Sequence, residues 1–227
     1  MAFNEELLMQ FMIDHYRSRF PDCKIIVYDN ESTDNTAQIA KDNGCEIRPY
    51  LTNGKVDDEL LKNHKNNCWK SADTNWVLVC DVDELLDIDI NDLKNEEALG
   101  VSIIKPEGYN MINHEENLDF KSITYGARET AYDKYYLFNK SLINEINYNH
   151  GAHVASPIGV IKFSDKAYKL YHYKCINFRR IIERSKMTVA RHSDINIKNN
   201  WGHNNTAPEQ QVLDYWNLLK SRSVKIR

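Results

Sequence analysis

The stretch that decides the fold class is Trp76–Glu84, which reads WVLVCDVDE. Its first five residues, Trp76–Cys80, are all apolar and predict a short strand buried on both faces, as the strands of a parallel sheet are. Acidic residues follow this strand without any linker. The sequence therefore predicts carboxylates at the carboxyl end of a buried strand.

Predicted helices and strands alternate over the first hundred residues. The predicted helices are Glu5–Tyr16, Thr36–Asn43 and about Asp57–Ser71, and the further strands are Lys24–Tyr28 and Glu46–Tyr50. Gly44 follows the second helix, where a glycine commonly ends a helix. This alternation predicts an α/β fold with a central, mostly parallel sheet flanked by helices.

The second half of the chain differs from the first in composition, but it shows no internal repeat and no low-complexity linker. Its predicted elements are strands at Val101–Ile104, Tyr135–Phe138, Gly159–Phe163 and Lys169–Tyr173, and a basic amphipathic helix at Phe178–Ala190. Residues 1–227 are therefore expected to form one domain.

Composition excludes several classes of protein. The chain has 227 residues, 42% of them hydrophobic, and a formal net charge of −4, so we expect a packed core and no nucleic-acid partner. Its five cysteines form no C-x-x-C pair, which predicts free thiols in a reducing compartment. No apolar run approaches the ~20 residues of a membrane span. We expect a cytoplasmic protein, either soluble or peripheral to a membrane.

Two polar turns are expected to face one crevice. Open α/β sheets bind ligands beyond the carboxyl ends of their strands, and Asp29 and Asp81 each follow a predicted strand directly. The strand that normally begins such a sheet would precede Asn4, where three residues remain. We expect that strand to be clipped or very short.

The acidic turn is a candidate metal site. Asp81 and Asp83 are alternate residues at a strand end, from which two carboxylates can reach one cation, and carboxylate oxygens suit Mg²⁺ or Mn²⁺. Such an ion neutralises charge on a departing diphosphate. Acidic triplets also occur in ordinary exposed turns, but this one follows five apolar residues.

The segment Asp29–Thr36 lies between a predicted strand and a predicted helix and has the pattern D-N-x-S-x-D-x-T. Asp29 could accept a hydrogen bond from the imide N–H of a base or from a ribose hydroxyl, which favours a uracil nucleotide. Ser32 and Thr33 are also the residues that turns and helix caps require.

These segments together resemble a known enzyme family. Asn4–Glu6, His15–Tyr16, Asp29–Thr36 and Trp76–Glu84 resemble, in order and spacing, the GT-A fold glycosyltransferases of a family-two-like branch whose metal motif reads D-x-D-E. Tyr171–Lys174 resembles the H-Y segment of that branch. The resemblance implies a GT-A fold, which is Rossmann-like and binds nucleotides.

The implied activity is transfer of a sugar, with inversion, from a nucleotide-sugar donor to a hydroxyl acceptor, with UDP as the expected nucleotide. Residues of about 1–100 would form the donor half and about 101–227 the acceptor half. The residues expected to bind the nucleotide sugar are Phe3, Asn4, Asp29, Asn30, Lys65, Asp81, Val82 and Lys134.

The resemblance also implies a metal site. Asp83 would be the direct ligand, Asp81 would contact the metal or the ribose, and His172 would complete the shell. A histidine ligand favours Mn²⁺ over Mg²⁺. The alternative for His172 is a histidine that packs inside the sheet.

The chain lacks the E-D pair that often marks the catalytic base of family-two enzymes. An inverting enzyme needs a group that takes the acceptor proton. The candidates in the second half are Asp133, Glu145 and His153.

Two other classes stay open at this point. A haloacid-dehalogenase-like phosphatase also places D-x-D after an apolar strand, but its chemistry favours Thr or Val where this chain has Leu85. A non-catalytic nucleotide- or carbohydrate-binding module would need no base. In such a module, or in an acceptor site, Trp201 could stack on a sugar.

Overall fold

The computed structural model describes residues 1–115 and 119–227. The elements of the first part are α1 (Glu6–Arg19), β1 (Ile26–Asp29), α2 (Thr36–Asp42), β2 (Glu46–Pro49), α3 (Asp58–Asn67), β3 (Trp76–Leu78), β4 (Glu84–Leu86) and α4 (Ile90–Ala98). The elements of the second part are β5 (Ile103–Ile112), β6 (Tyr125–Arg128), β7 (Leu137–Asn139), β8 (Ile143–Glu145), β9 (Ile158–Gly159), β10 (Phe163–His172), α5 (Phe178–Ala190), α6 (Asp194–Lys198), α7 (Glu209–Arg222) and β11 (Val224–Lys225). The α/β class predicted from the sequence is confirmed.

Local signals explain the helices of the first part. α1 buries one face, with Leu8, Met9, Met12 and Ile13 all under 7% exposed. Gly44 has φ of 67°, the left-handed conformation expected after α2. Asp57 caps α3, because its side chain accepts a hydrogen bond from the Leu60 N–H.

The parallel part of the structure is small. β1 and β2 pair in parallel, with Ile26 opposite Glu46. Ala2 adds one parallel bridge to Asp29, since its N–H donates to the Tyr28 carbonyl at 2.9 Å and its carbonyl accepts from the Asn30 N–H at 2.8 Å. The strand expected before Asn4 is thus represented by this single bridge.

The larger sheet is mixed rather than mostly parallel. It runs β11-β6-β5-β10-β4, and β7 joins β5 to β3. Among its described pairs, β5 with β10 is parallel and the others are antiparallel. Parallel neighbours need a crossover connection, and the described residues between β5 and β10 contain 3-10 turns but no α-helix.

Some elements of the second part differ from expectation. The strand predicted at Gly159–Phe163 is divided between β9 and the start of β10, and the strand predicted at Lys169–Tyr173 is the end of the ten-residue β10. The helix predicted at Phe178–Ala190 is α5, with the same ends. β10 brings His172 to the edge where the acidic turn lies, opposite Glu84 of β4.

Two large apolar clusters hold the sheet between its helices. One packs α1 against β1 and the end of β10, through residues such as Met9, Val27 and Tyr171. The other packs β3, β5 and β7 through Val77, Ile103 and others. No described helix has both the length and the apolar character needed to cross a membrane.

Candidate active site

The turn that follows β3 is held by its own backbone and by the end of β10. The Glu84 N–H donates to the Asp81 carbonyl at 3.2 Å, and the Tyr173 N–H donates to the Asp83 carbonyl at 2.8 Å. Val82 is 5% exposed and packs in the core, so the carboxylates on either side of it are presented from a fixed backbone. Val82 therefore contributes through the backbone, and donor contact by it stays a prediction.

Asp83 and His172 meet although they are far apart in the chain. The Nε2 atom of His172 lies 3.6 Å from Oδ2 of Asp83. The Nδ1 atom of the same ring lies 2.7 Å from Oδ1 of Asn110, which is fully buried on β5. An amide oxygen can only accept, so Nδ1 donates to Asn110, and Nε2 is the nitrogen that faces Asp83.

Tyr132 fixes the plane of the His172 ring. The two rings stack with centroids 3.8 Å apart. Burial raises the pKa of the Tyr132 hydroxyl well above its usual range, so this hydroxyl stays protonated. The imidazole is therefore held by stacking on its face and by the hydrogen bond at its Nδ1 atom.

Asp83 is held as a carboxylate. Burial alone would raise the pKa of Asp83, but attraction to His172, and less strongly to Arg184 and Lys174, lowers it below the usual range of an aspartate. Its side chain is 17% exposed, so one edge remains open to a ligand.

Asp81 is paired with a buried lysine. Lys65 Nζ lies 2.7 Å from Asp81 Oδ2, and the lysine side chain is 3% exposed. Burial alone would lower the pKa of Lys65, but attraction to Asp81 and Glu84 raises it above its ordinary value. The sequence placed both residues in the donor site, and the structure brings them together as an ion pair.

Glu84 and Lys134 form a second buried pair. Their Oε1 and Nζ atoms lie 2.6 Å apart, with side chains 2% and 4% exposed. The Lys134 ammonium also lies 4.9 Å from the centre of the Tyr132 ring. The ammonium expected to contact a diphosphate is thus already bonded to the acidic turn.

Asp29 has one oxygen in use and one without a partner. Its Oδ2 accepts from the Ser32 N–H at 3.3 Å, which forms the turn before α2. Its Oδ1 is buried and has no hydrogen-bond partner among the described residues. Tyr50 and His64, whose rings lie 4.8 Å apart, also have buried polar atoms that no described residue satisfies. Such groups are unusual in native structures.

Phe3, Asn4 and Asn30 build the entrance to this region. The Asn4 side-chain oxygen accepts from the Thr33 N–H at 2.8 Å, and the Phe3 ring lies 3.2 Å from the Arg191 guanidinium carbon. Asn30 Oδ1 accepts from the same Arg191 at 2.7 Å. The Asn4 and Asn30 side chains are thus used within the fold, and their contact with a donor stays a prediction.

The three candidate bases lie in different surroundings. Asp133 accepts from the Gly108 N–H at 2.8 Å and pairs with Arg128 at 2.6 Å. Glu145, the last residue of β8, pairs with Lys70 at 2.7 Å, and the two side chains are 41% and 39% exposed.

His153 lies beside the cluster of paired acids. Its Nδ1 lies 2.7 Å from the Ala131 carbonyl oxygen, and its ring lies 5.8 Å from that of Tyr132. Burial, and then the nearby Lys134, lowers the pKa of His153. The structure thus places the His153 ring beside Tyr132, whose ring stacks on His172.

Several residues of this region were not singled out from the sequence. Asn110 and Tyr132 contact His172, and Arg184 donates to the carbonyls of Phe3 and Asn4 at 3.0 and 2.9 Å. The basic face of the helix at Phe178–Ala190 was a signal for Arg184. Nothing local marks Asn110, because it stands in the middle of a strand.

The residues present fit a divalent cation only in part. Asp83 offers a hard oxygen and His172 a neutral nitrogen, a combination that suits Mn²⁺. No group of three or more His, Cys, Asp or Glu side chains suited to a metal occurs within residues 1–115 and 119–227. Any ion here would therefore draw its remaining ligands from a bound molecule or water.

Comparison with known proteins gives a family model, a curated relative and several solved structures. Residues 1–96 match the model of the family described as Glycosyl transferase family 2. Protein RfbJ of Shigella flexneri is 29% identical over 86 residues, which are 38% of this chain and 62% of that protein. The chain thus spans less than two thirds of this curated relative.

Solved structures of Staphylococcus aureus TarS resemble the chain more distantly. One covers 95% of this chain and 41% of TarS, with 15% identity and a TM-score of 0.46. Another, of TarS residues 1–349 in complex with UDP-GlcNAc, has 16% identity, covers 95% of this chain and 69% of that one, and has a TM-score of 0.43. Similarities of this size carry no argument about a substrate.

The family match covers both polar turns, Asp29–Thr36 and Asp81–Glu84, and it favours a glycosyltransferase over a haloacid-dehalogenase-like phosphatase. Over residues 1–96 the chain is similar to glycosyl transferases of family 2, and this match supports the enzyme class predicted from the sequence.

Proposed function

We propose that this chain transfers a sugar from a UDP-sugar to a hydroxyl acceptor, with inversion and with the help of Mn²⁺. One observation carries the proposal: Asp83 and His172 meet at 3.6 Å, and Asn110 accepts from Nδ1 of the imidazole, so that Nε2 is the nitrogen that faces the carboxylate. A histidine that merely packed in the sheet would need no such arrangement of both nitrogens.

Asp83 and His172 would hold the ion, and Asp81, paired with Lys65, would contact the ribose or the ion. When bound, the ion supplies positive charge that offsets the charge developing on the departing diphosphate. Two basic groups, Arg184 and Lys174, already act on Asp83 electrostatically and would favour the same anionic group.

The uracil assignment rests on Asp29. A buried carboxylate oxygen without a partner costs about 1–3 kcal/mol, and the imide N–H of uracil would satisfy it. Guanine offers N–H groups too, but cytosine has no ring N–H at the corresponding position. The unpartnered polar atoms of Tyr50 and His64 would serve the remaining edge of the base.

His153 is the candidate base that the geometry favours. Because its Nδ1–H donates to the Ala131 carbonyl, its Nε2 is the unprotonated nitrogen. That nitrogen would take the acceptor proton while the acceptor oxygen attacks the anomeric carbon. The bond from that carbon to the diphosphate oxygen breaks on the opposite face, so the configuration inverts.

The proposal is tested by nucleotide binding in the presence and absence of Mn²⁺. UDP should raise the melting temperature when Mn²⁺ is present, because a ligand that binds only the folded state stabilises it by about 3 kcal/mol at a hundredfold excess over its dissociation constant. Asp83→Asn keeps the shape of the side chain but removes its charge, and should abolish this metal-dependent shift.

Asp92→Asn is the matched control, because Asp92 lies on α4 and pairs with Lys166. This variant should respond to UDP and Mn²⁺ as the unmodified protein does. Full sugar transfer in the presence of a chelator, or an unchanged shift in Asp83→Asn, would overturn the metal-dependent mechanism.

A further inference from the structure

A small cavity lies apart from the acidic turn, between the end of α5, the short helix α6 and the 3-10 turn at His203–Thr206. Its volume is about 230 Å³. Its walls include His192, Asn196, Ile197 and Trp201. None of the residues assigned above to the nucleotide or the metal lines it.

Two residues that line this cavity each carry a buried polar atom without a hydrogen-bond partner. Asn196 is fully buried, and its Oδ1 accepts from the Asp58 N–H at 3.0 Å, but its Nδ2 has no hydrogen-bond partner among the described residues. The same holds for the buried Nε2 of His192. A buried polar atom left unsatisfied is costly, so two such atoms on residues that line one cavity point to a polar ligand.

Trp201 gives the cavity a rigid aromatic wall. Its backbone N–H donates to the Asn196 carbonyl at 2.9 Å, and its ring lies 4.0 Å from the ring of His150. His150 is in turn 2.8 Å from Glu59 of α3. Neighbouring Ile197 is 66% exposed and extends the apolar surface.

We propose that this cavity is a subsite for one pyranose ring of the acceptor. A pyranose has a face of C–H bonds, whose positive edge suits the negative face of an indole, and a rim of hydroxyls that can both accept from Asn196 and bond to His192. The cavity is smaller than the roughly 300–1,000 Å³ of sites for drug-sized ligands, which fits a single sugar unit.

The position of the cavity favours the acceptor over the donor. Arg191, which precedes His192, bonds to Asn30 beside Asp29, so the cavity borders the nucleotide region without sharing its residues. The proposal rests on the glycosyltransferase function proposed above, because an acceptor subsite has a role only in a transferase.

The test uses the full chain with UDP and Mn²⁺ and a panel of methyl glycosides of glucose, galactose, mannose and N-acetylglucosamine. Spectra of the ¹⁵N-labelled protein report directly on the Asn196 side-chain amide and the Trp201 indole N–H. At least one glycoside should shift both signals. Trp201→Ala and Asn196→Asp should each weaken that glycoside about tenfold or more.

Asn196→Asp keeps the oxygen that accepts from the Asp58 N–H, removes the two side-chain N–H donors and adds a carboxyl group, as its control also does. Asn199→Asp is its control on the same turn of chain, because Asn199 is outside the cavity and bonds to the Ile195 carbonyl. The control should bind the glycoside normally. The UDP affinity should be unchanged in all of these variants.

The subsite is refuted if no glycoside shifts the two signals, if both variants bind the glycoside as the unmodified protein does, or if UDP alone shifts the signals as strongly. Failure of the proposed function is a separate result: UDP would then not bind with Mn²⁺, or its binding would not depend on Asp83.

Discussion

Asn110 allows the sharpest test of the site, because it acts on His172 without facing any substrate. Asn110→Leu keeps a side chain of similar size at a fully buried position of β5 and removes the oxygen that lies 2.7 Å from His172 Nδ1. The Nδ1–H of the imidazole then has no hydrogen-bond partner. It can also move the proton to Nε2, the nitrogen that faces Asp83.

The expected losses follow from the burial of both groups. An unsatisfied buried N–H should lower the free energy of unfolding by about 1–3 kcal/mol. Loss of the hydrogen bond behind a metal-binding histidine should weaken Mn²⁺ about 10–100-fold. That loss equals about 1.4–2.7 kcal/mol.

Calorimetric titration of Mn²⁺ in the presence of UDP measures the affinity for Mn²⁺, and urea unfolding of the metal-free protein measures the free energy of unfolding. Tyr215→Phe is the control, because the Tyr215 hydroxyl contacts Asn110 Nδ2 at 3.4 Å and leaves His172 untouched. A variant Asn110→Leu that is less stable but binds Mn²⁺ normally would refute the role of Asn110 in orienting His172.

Three further predictions concern single side chains. Asp29→Ala should weaken UDP about tenfold by removing the partner of the base, and equal stabilisation by CDP and UDP in thermal-shift assays would argue against uracil recognition. Among Asp133→Asn, Glu145→Gln and His153→Ala, the last should lower kcat the most with little change in the Kd for UDP, and normal turnover in all three would place the base elsewhere. Burial lowers the pKa of His15 from 6.5 to about 4 and keeps the imidazole neutral in the folded protein, so the unfolded chain takes up a proton at a higher pH. As the pH falls from about 6.5 to about 4, up to about 3 kcal/mol of the free energy of unfolding should therefore be lost. In urea titrations at several pH values, His15→Gln should lack this part of the loss.

The elements that could be predicted are those with a local cause. The helical spacing within α1, the glycine after α2 and the apolar run of β3 are each contained in a few consecutive residues. The helix at Phe178–Ala190 was also evident, because its apolar and basic residues alternate with the helical period.

Strand pairing could not be predicted in the same way. β10 lies between β5 and β4, and the sequence of Phe163–His172 does not indicate which strands it pairs with. The alternation of the first hundred residues therefore suggested a mostly parallel sheet, whereas the second part supplies antiparallel neighbours that need no helical crossover.

The roles of the two lysines show the same limit at the site. Lys65 and Lys134 were both expected to bind the nucleotide sugar, and that contact stays a prediction. The structure shows each lysine buried and bonded to a carboxylate of the acidic turn, at 2.7 and 2.6 Å. Burial of a lysine depends on tertiary packing, which residue type and spacing do not reveal.

These pairings explain why Asp83, rather than its neighbours, is the acid most available to a cation. Asp81 and Glu84 are each matched by one ammonium group, so those two pairs are close to neutral. Asp83 faces Nε2 of the His172 imidazole, whose Nδ1 is bonded to Asn110. The negative charge of the turn is thereby concentrated on one carboxylate with an imidazole nitrogen beside it. Because a buried charge is costly without a partner, that arrangement favours a cation that brings further ligands of its own.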